Sequence, residues 1–480
     1  MPTALELLDL VFDAGTWSSW DTPAADPPGI DPEYARALAA ARARTGLDES
    51  VLTGEGRIGG RRVAAVACEF GFLGGSVGAV AAARLAAALA RATAEGLPVL
   101  ASPASGGTRM QEGTAAFTRL VAVSAAVGRH VAAGLPYLVY LRHPTTGGVF
   151  ASWGSLGQLS IAEPGALIGY HGPRVSAALT GAEFPAGVQV AENLCAHGLV
   201  DAVVPPHGVG AMARRALDVM CAGTPDEVPP PGQAALPDVP AWEVVERSRR
   251  PNRPGVVALL TAAASQVTTL ADPGPGLVLA LARFGTAPCV LVGQDRRGPA
   301  IDPDGLRAAR RGLRLAAELR LPLVSVIDSG GAELSQRAEE GGLAGEIARN
   351  VADLVALPTP TVCLLLGQGA GGAALAYLPA DRVVAAQHAW LSPLPPEGAA
   401  AILHRDAGRA AELAGAQGIR AADLLAAGVA DHVVPEYPDA ADEPLPFLHR
   451  VGSVLEAELA GLARRDPAGL LATRAARYAG

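Results

Sequence analysis

What most limits the fold of this chain is that it carries one pattern twice. The segment "SGGTRMQEG", Ser105 to Gly113, follows the apolar run "LPVLASPA", and "SGGAELSQ", from Ser329, follows "LPLVSVID". Gly106 pairs with Gly330 and Gly147 with Gly371, and 330 − 106 and 371 − 147 both give 224. The order of elements around these glycines also repeats. An apolar strand leads to an Ala- and Arg-rich helix, then "LP", a second strand and the Ser-Gly-Gly turn; a helix, another apolar strand and a Gly-Gly turn follow. The ends agree as well, "HGLVDAVVP" from His197 against "AGVADHVVP" from Ala427, with the offset grown to 230 between Val203 and Val433. Short apolar runs alternating with longer Ala-rich segments predict β-α units whose strands are covered on both faces. The expectation is an α/β protein of two like domains, residues 1–225 and 241–480, joined by an exposed Pro-rich linker at 226–240 ("DEVPPPGQAALPDVP").

A chain of 480 residues, half hydrophobic and 18% charged, has material for about two or three domains with real cores. No stretch of about 18 apolar residues is uninterrupted, so no membrane span is expected. The start, "MPTALELLDLVFDAG", has early acidic residues and no basic n-region, and reads as a helix; the expected compartment is the cytoplasm. Net charge −9 gives no footprint for nucleic acid. Five scattered cysteines without C-x-x-C or zinc-spaced histidines predict neither a disulfide framework nor a metal site. Every one of the 38 basic residues is arginine, because the sequence has no lysine. Schiff-base chemistry and covalently attached biotin or lipoate both need a lysine amine, so any swinging cofactor must arrive on another chain.

A Gly-Gly pair at the end of a buried strand permits positive φ and lets a ligand approach the main chain with no Cβ in the way. A helix starting there would present N–H groups that lack intrahelical partners, at the positive end of its dipole. Such a turn is suited to hold an oxyanion. The first half supplies "SGGTRMQEG" and "PTTGGVFAS", the second "DSGGAELSQ" and "GQGAGGAAL", enough to frame two oxyanion holes. Two look-alikes are set aside. "GGSVG", Gly74 to Gly78, fits a nucleophile elbow, yet no histidine stands in an obvious partner segment. "GQGAGG", Gly367 to Gly372, fits a dinucleotide fingerprint but lacks the acidic residue about 20 positions on. Arg109 admits two readings, an i,i+3 partner of Glu112 or a holder of phosphate or carboxylate beside the turn. Glu397 reads as a first-turn carboxylate facing its helix dipole, and Tyr170 and His171 either line a pocket or pack.

Taken together, "CEFGFLGGSVGAV", "ASGGTRMQEG", "GLPYLVYLRHPTTGGVFAS" and "LSIAEPGALIGYHGPRV" resemble the β subunit of the bacterial acetyl-CoA carboxylase carboxyltransferase. The second half is similar to its α subunit in "AWEVVERSRRPNRP", "AEEGGLAGEIARNVADLVALPTPTVCLLLGQGAGGAALAY" and "LPPEGAAAIL", as if the two were fused. The resemblance implies two crotonase-like domains, each a spiral of β-β-α units, in a homo-oligomer, dimer or hexamer. It implies transfer of CO2 from carboxybiotin, on a separate carrier protein charged by a biotin carboxylase, to the α-carbon of a short acyl-CoA such as acetyl-CoA. By position, Gly106, Gly107, Gly147 and Gly148 would serve the coenzyme A thioester, and Gly330, Gly331, Gly372 and Ala373 the biotin ureido oxygen. Ser105, Arg109, Gly371 and Glu397 complete the implied cofactor-binding set. The four-cysteine zinc ribbon usual in the β subunit is missing, so no zinc is expected. Two rival readings keep the same scaffold: a biotin-independent decarboxylase of malonyl-CoA-type thioesters, and a non-catalytic subunit.

Overall fold

Each half begins its sheet with an antiparallel hairpin and continues it with parallel strands. In the computed structural model, which describes residues 2–26, 29–270 and 276–478, the chain divides into two compact units, Met1–Cys221 and Ala222–Gly480.

The first unit has strands β1 (Ser18–Ser19), β2 (Val51–Ile58), β3 (Arg61–Cys68), β4 (Val99–Ser102), β5 (Tyr137–Leu141), β6 (Thr145–Thr146), β7 (Leu159–Ala162), β8 (Ile168–Gly169) and β9 (Ala202–Val203). Seven form one sheet in the order β1-β2-β3-β4-β5-β7-β9, while β6 and β8 pair separately. The β2–β3 hairpin is antiparallel, and β3, β4, β5, β7 and β9 run parallel. The helix Ala79–Ala94, "AVAAARLAAALARATA", crosses from β3 to β4 and buries Ala81, Ala82, Leu85, Ala88, Leu89 and Ala92. That three-and-four spacing is the apolar stripe of a helix lying on a sheet.

The second unit repeats this with β10 (Ala264–Thr269), β11 (Leu277–Phe284), β12 (Ala287–Gln294), β13 (Leu323–Ser329), β14 (Thr361–Ala370), β15 (Arg382–Ala386), β16 (Trp390–Ser392) and β17 (His432–Val434). The sheet order is β10-β11-β12-β13-β14-β15-β17, with β16 on β14. Every residue of β12, "APCVLVGQ", which pairs antiparallel with β11 and parallel with β13, is buried, as expected of a strand covered on both faces. Its crossover helix, Pro303–Leu319, starts at Asp302, whose side chain accepts from the Gly305 N–H, and stops at Arg320 in the left-handed conformation. The Pro-rich stretch at 226–240 has neither helix nor strand. Gln233 reaches from it to the edge strand β17, donating to Val433 O at 3.1 Å and accepting from Val433 N at 2.9 Å.

Candidate active site

In each half the strand register slips just where the Ser-Gly-Gly turn leaves the sheet. Ile327 of β13 faces Leu365 of β14, yet Ser329 faces Gly369, so β14 carries two extra residues across that step. The first half does the same from Ala101–Val139 to the bridge Ser105–Thr145. The slip carries both glycine turns of a half out of the sheet side by side.

The serine of each turn fixes its shape. Ser105 Oγ accepts from Gly107 N at 3.0 Å and donates to Gly107 O at 3.3 Å. Ser329 Oγ does the same to Gly331, at 3.1 and 2.8 Å. Gly107 and Gly331 take φ of +115° and +137°, conformations an L side chain rarely adopts. The Gly106 N–H donates to Gly74 O at 3.0 Å, so neither N–H of the Gly106–Gly107 pair is without a partner. No α-helix follows these turns directly: the next ones start at Gly113 and Gln336. The helix-dipole argument therefore belongs to the second turn of each half.

There it applies well. Gly147 and Gly371, both with φ +62°, open the short helices Gly147–Phe150 and Gly371–Leu375. Gly147 N donates to Tyr170 O at 2.9 Å. Gly148 and Gly372, at the second helical position, have no preceding turn to accept their N–H groups, and no acceptor stands against either among the described residues. A Cβ on Gly148 would lie 2.8 Å from both Leu120 Cδ1 and Thr108 Oγ1, and one on Gly372 2.8 Å from Ile347 Cδ1. The first-half turns press together, since a Cβ on Gly107 would sit 3.4 Å from Gly148 N. Beside Gly147 and Gly148 opens a cavity of about 540 Å³ walled by Phe117, Leu120, Val121 and Tyr170. Tyr170 and His171 thus line a pocket, their rings 4.2 Å apart.

The second-half turn faces different chemistry. A cavity of about 260 Å³ beside Gly330 and Gly331 is lined by Gln294, Arg296, Asp328 and Gln368. Asp328 is buried; its carboxylate stands 3.4 Å from Arg296 Nη1 and accepts from Gln368 N at 3.1 Å. Burial pushes its pKa up, against the pull of Arg296 and Arg253. Ala373 is buried in the helix that Gly371 opens, and its carbonyl accepts from Gln294 Nε2 at 2.8 Å.

The two charged candidates are both paired. Arg109, 1% exposed, donates to Glu49, Ser50 Oγ, Ser76 O and Tyr34 OH. Burial disfavours its charge, but Glu49 outweighs that and raises its pKa. Glu112, 3.6 Å from the guanidinium, accepts from Tyr34 OH and from Ala79 N. Burial, then Glu112, pushes the Tyr34 phenol up to about 12. Arg109 therefore buttresses the turn from behind. Glu397 is in a first helical turn as expected, but its partner is Arg249, in a bidentate pair whose Nε also donates to Gln368 Oε1 at 3.2 Å. The hydrogen bonds from Arg249 to Glu397 hold the Glu397 carboxyl below its usual range. Of the look-alikes, Ser76 Oγ bonds to Leu73 O and Arg109, and Gly367–Ala370 lie within β14. Sequence reasoning passed over Glu49, Gln294, Asp328 and Arg249; the one visible signal was Asp328 standing directly before the second Ser-Gly-Gly.

A carboxyl transferase domain family matches residues 3–468. The chain belongs to that family. This carboxyltransferase is 58% identical over 485 residues to a probable biotin-dependent acyl-coenzyme A carboxylase beta3 subunit of Mycobacterium tuberculosis, covering 99% of this chain and 98% of that one. It is 36% identical to the acetyl-coenzyme A carboxylase carboxyl transferase subunits beta/alpha of Salinispora tropica, over 98% and 92% of the two chains. Among solved structures, transcarboxylase 12S, a hexamer assembly with methylmalonyl-coenzyme A and methylmalonic acid bound, matches at TM-score 0.73 and 20% identity, over 93% of this chain and 89% of that one. A single-chain, multi-domain long-chain acyl-CoA carboxylase matches at 0.71 and 20%, over 93% and 46%. The carboxyltransferase has the crotonase-like fold expected of it, and it is an enzyme of the acyl-CoA carboxylase kind.

Among the described residues no helix is long and apolar enough to cross a membrane. One group, His388, Glu436 and Asp439, has the spacing to hold a metal ion, but the Arg253 guanidinium already bridges both Glu436 oxygens at 2.7 Å.

Proposed function

We propose that this chain is the carboxyltransferase subunit of a biotin-dependent acyl-CoA carboxylase and that it carboxylates a short acyl-CoA, such as acetyl-CoA to malonyl-CoA. The observation that carries this is the pair of unpartnered N–H groups, Gly148 in one half and Gly372 in the other, each at the N-terminus of a short helix beside a glycine turn. An enolate and a ureido oxyanion each need such a donor, and the chain has one for each.

The first-half turn suits the thioester. Its wall of Phe117, Leu120, Val121 and Tyr170 offers apolar surface to a bound thioester, and water displaced by that ligand would strengthen the Gly148 N–H toward negative charge developing on the thioester oxygen. The second-half turn suits biotin. The polar lining from Gln294, Asp328 and Gln368 matches a ureido group, and the missing Cβ at Gly331 and Gly372 leaves the main chain open to it. Carboxybiotin would supply the carboxyl group: its N–CO2 bond breaks, a bond to the α-carbon forms, and the α-proton passes to the freed nitrogen, so no protein base is required. With no lysine to carry biotin, the chain needs a separate biotinyl carrier, charged by a biotin carboxylase. The five free cysteines suit a reducing cytoplasm. The exposed Phe117 and Val121 beside the first cavity, and Leu334 beyond the second turn, suit burial in a homo-oligomer.

Malonyl-CoA consumption by the purified protein, with and without free biotin or a biotinyl carrier, tests the reading. Loss of malonyl-CoA only when biotin is present, abolished in Gly148→Val, is expected. Equal loss without biotin would instead make the chain a decarboxylase.

A further inference from the structure

The second half holds its two glycine turns together with a side chain that has no counterpart in the first. Gln294, the last residue of β12, is 2% exposed. Its Oε1 accepts from the Asp328 N–H at 3.2 Å, at the foot of the Ser329–Gly331 turn. Its Nε2 donates to Ala373 O at 2.8 Å, in the helix that Gly371 and Gly372 open. One amide thus spans both turns. The registers place Val292 opposite Ser325 as they place Val66 opposite Ala101, so the residue standing where Gln294 stands is Cys68, a buried thiol that meets the Ala104 backbone, the counterpart of the Asp328 N–H, and is too short to bridge on to the second turn. The first-half turns meet instead through direct main-chain packing, Gly107 on Gly147 and Gly148. The second-half turns make no such contact: a Cβ on Gly331 would meet nothing within 4 Å.

We infer that Gln294 is a positioning residue for biotin: by tying Asp328 N to Ala373 O it sets the spacing between the Ser329–Gly331 turn and the Gly372 N–H. This rests on the second-half turns receiving the ureido group. Glutamine suits the task because one planar amide offers an acceptor and a donor on opposite sides. Its long side chain is locked by both bonds, and a donor held this way needs no rearrangement as charge develops.

The test is steady-state kinetics and amide hydrogen exchange on Gln294→Met and Gln294→Glu. Methionine keeps the volume and loses both bonds; glutamate keeps the acceptor toward Asp328 N and faces Ala373 O with a second oxygen. Ser325→Ala serves as control, because Ser325, in the neighbouring buried strand β13, donates its Oγ–H to Tyr377 O at 2.7 Å without touching either turn. The expected result is a fall in kcat of about 10- to 100-fold for both Gln294 variants, the scale of a misplaced reacting group, with a raised KM for biotin and an unchanged KM for the thioester. Faster exchange across 371–375 should accompany it, while Ser325→Ala shifts only thermal stability. Wild-type kinetics with unchanged exchange would overturn the inference, as would a change confined to the thioester KM. Should Gln294→Met fail to fold, Gln294→Glu carries the same readouts. Exchange is measured without substrate, so it reads the bridge even where the unaltered protein transfers no carboxyl group, a result that would defeat the functional reading and the biotin role with it.

Discussion

The Ser105 and Ser329 turns share a backbone and solve one local problem differently. Both halves add two residues at the strand step, and the added stretch has an N–H that no ladder partner meets. In the second half that N–H belongs to Gln368, and the buried carboxylate of Asp328 accepts it. Moving back 224 positions, the residues are Pro144 and Ala104. Proline has no N–H to satisfy, so alanine suffices beside it. The Asp328 carboxylate then requires Arg296, which makes the second-half turn a polar, charge-compensated place. The first-half turn keeps its charge behind it, in Arg109 and Glu49. The lesson is that a duplicated main-chain device need not duplicate its support, and the support decides which ligand chemistry each copy faces.

Four experiments press on that contrast. The largest effect should come from the turns themselves. Gly148→Val meets two atoms at 2.8 Å and Gly372→Val meets one; each should lower kcat by roughly 100-fold or more, the cost of an oxyanion donor. Only the Gly148 clash includes an atom, Thr108 Oγ1, on the facing turn, so Ile347→Ala should restore activity to Gly372→Ala, while Leu120→Ala should not restore it to Gly148→Ala. Activity regained equally in both halves would break the contrast.

Next is Arg109→Met, which strands the buried Glu49 carboxylate and should destabilise the first unit by about 3–5 kcal/mol in urea denaturation. A loss under about 1 kcal/mol would mean the turn is supported otherwise. Asp328→Ala should cost about 3 kcal/mol through the stranded Gln368 N–H and Arg296. Adding Gln368→Pro, which copies the first-half pair, should recover part of that. A double variant no more stable than the single would remove the proline argument.

The smallest effect concerns pH. Burial lowers the pKa of His130 in the first unit and His432 in the second. A histidine with a lowered folded pKa takes up more protons unfolded, so its contribution is complete above the ordinary value of 6.5 and is lost as pH falls through the folded one. Thermal stability should decline below pH 6.5, and His130→Gln should flatten the decline for the first unit alone.

The elements legible beforehand were those with local causes. The glycine turns announced themselves by spacing, and their positive φ followed from having no Cβ. The α/β pattern followed from apolar runs such as "APCVLVG". Long-range pairings stayed hidden: Arg109 finds Glu49 60 residues away, and Glu397 finds Arg249 148 away. The helix Pro32–Thr45, "PEYARALAAARART", is polar and Arg-rich along its length, yet it sends Tyr34 inward to Glu112. Gln294 closes an apolar run and gives no sign that its amide faces two turns. The helix expected straight after Ser-Gly-Gly begins later, because the serine hydroxyl already caps the turn.

The donors at Gly148 and Gly372 are peptide groups, and a peptide N–H survives every substitution of the residue that bears it except proline. An alanine scan would therefore pass over the chemistry and register only its walls. Deleting such a donor without adding a proline ring takes an ester link in place of the amide. The same fact gives the lineage wide freedom: at 20% identity the fold still superimposes, because what must be inherited is a conformation, and many sequences can encode it.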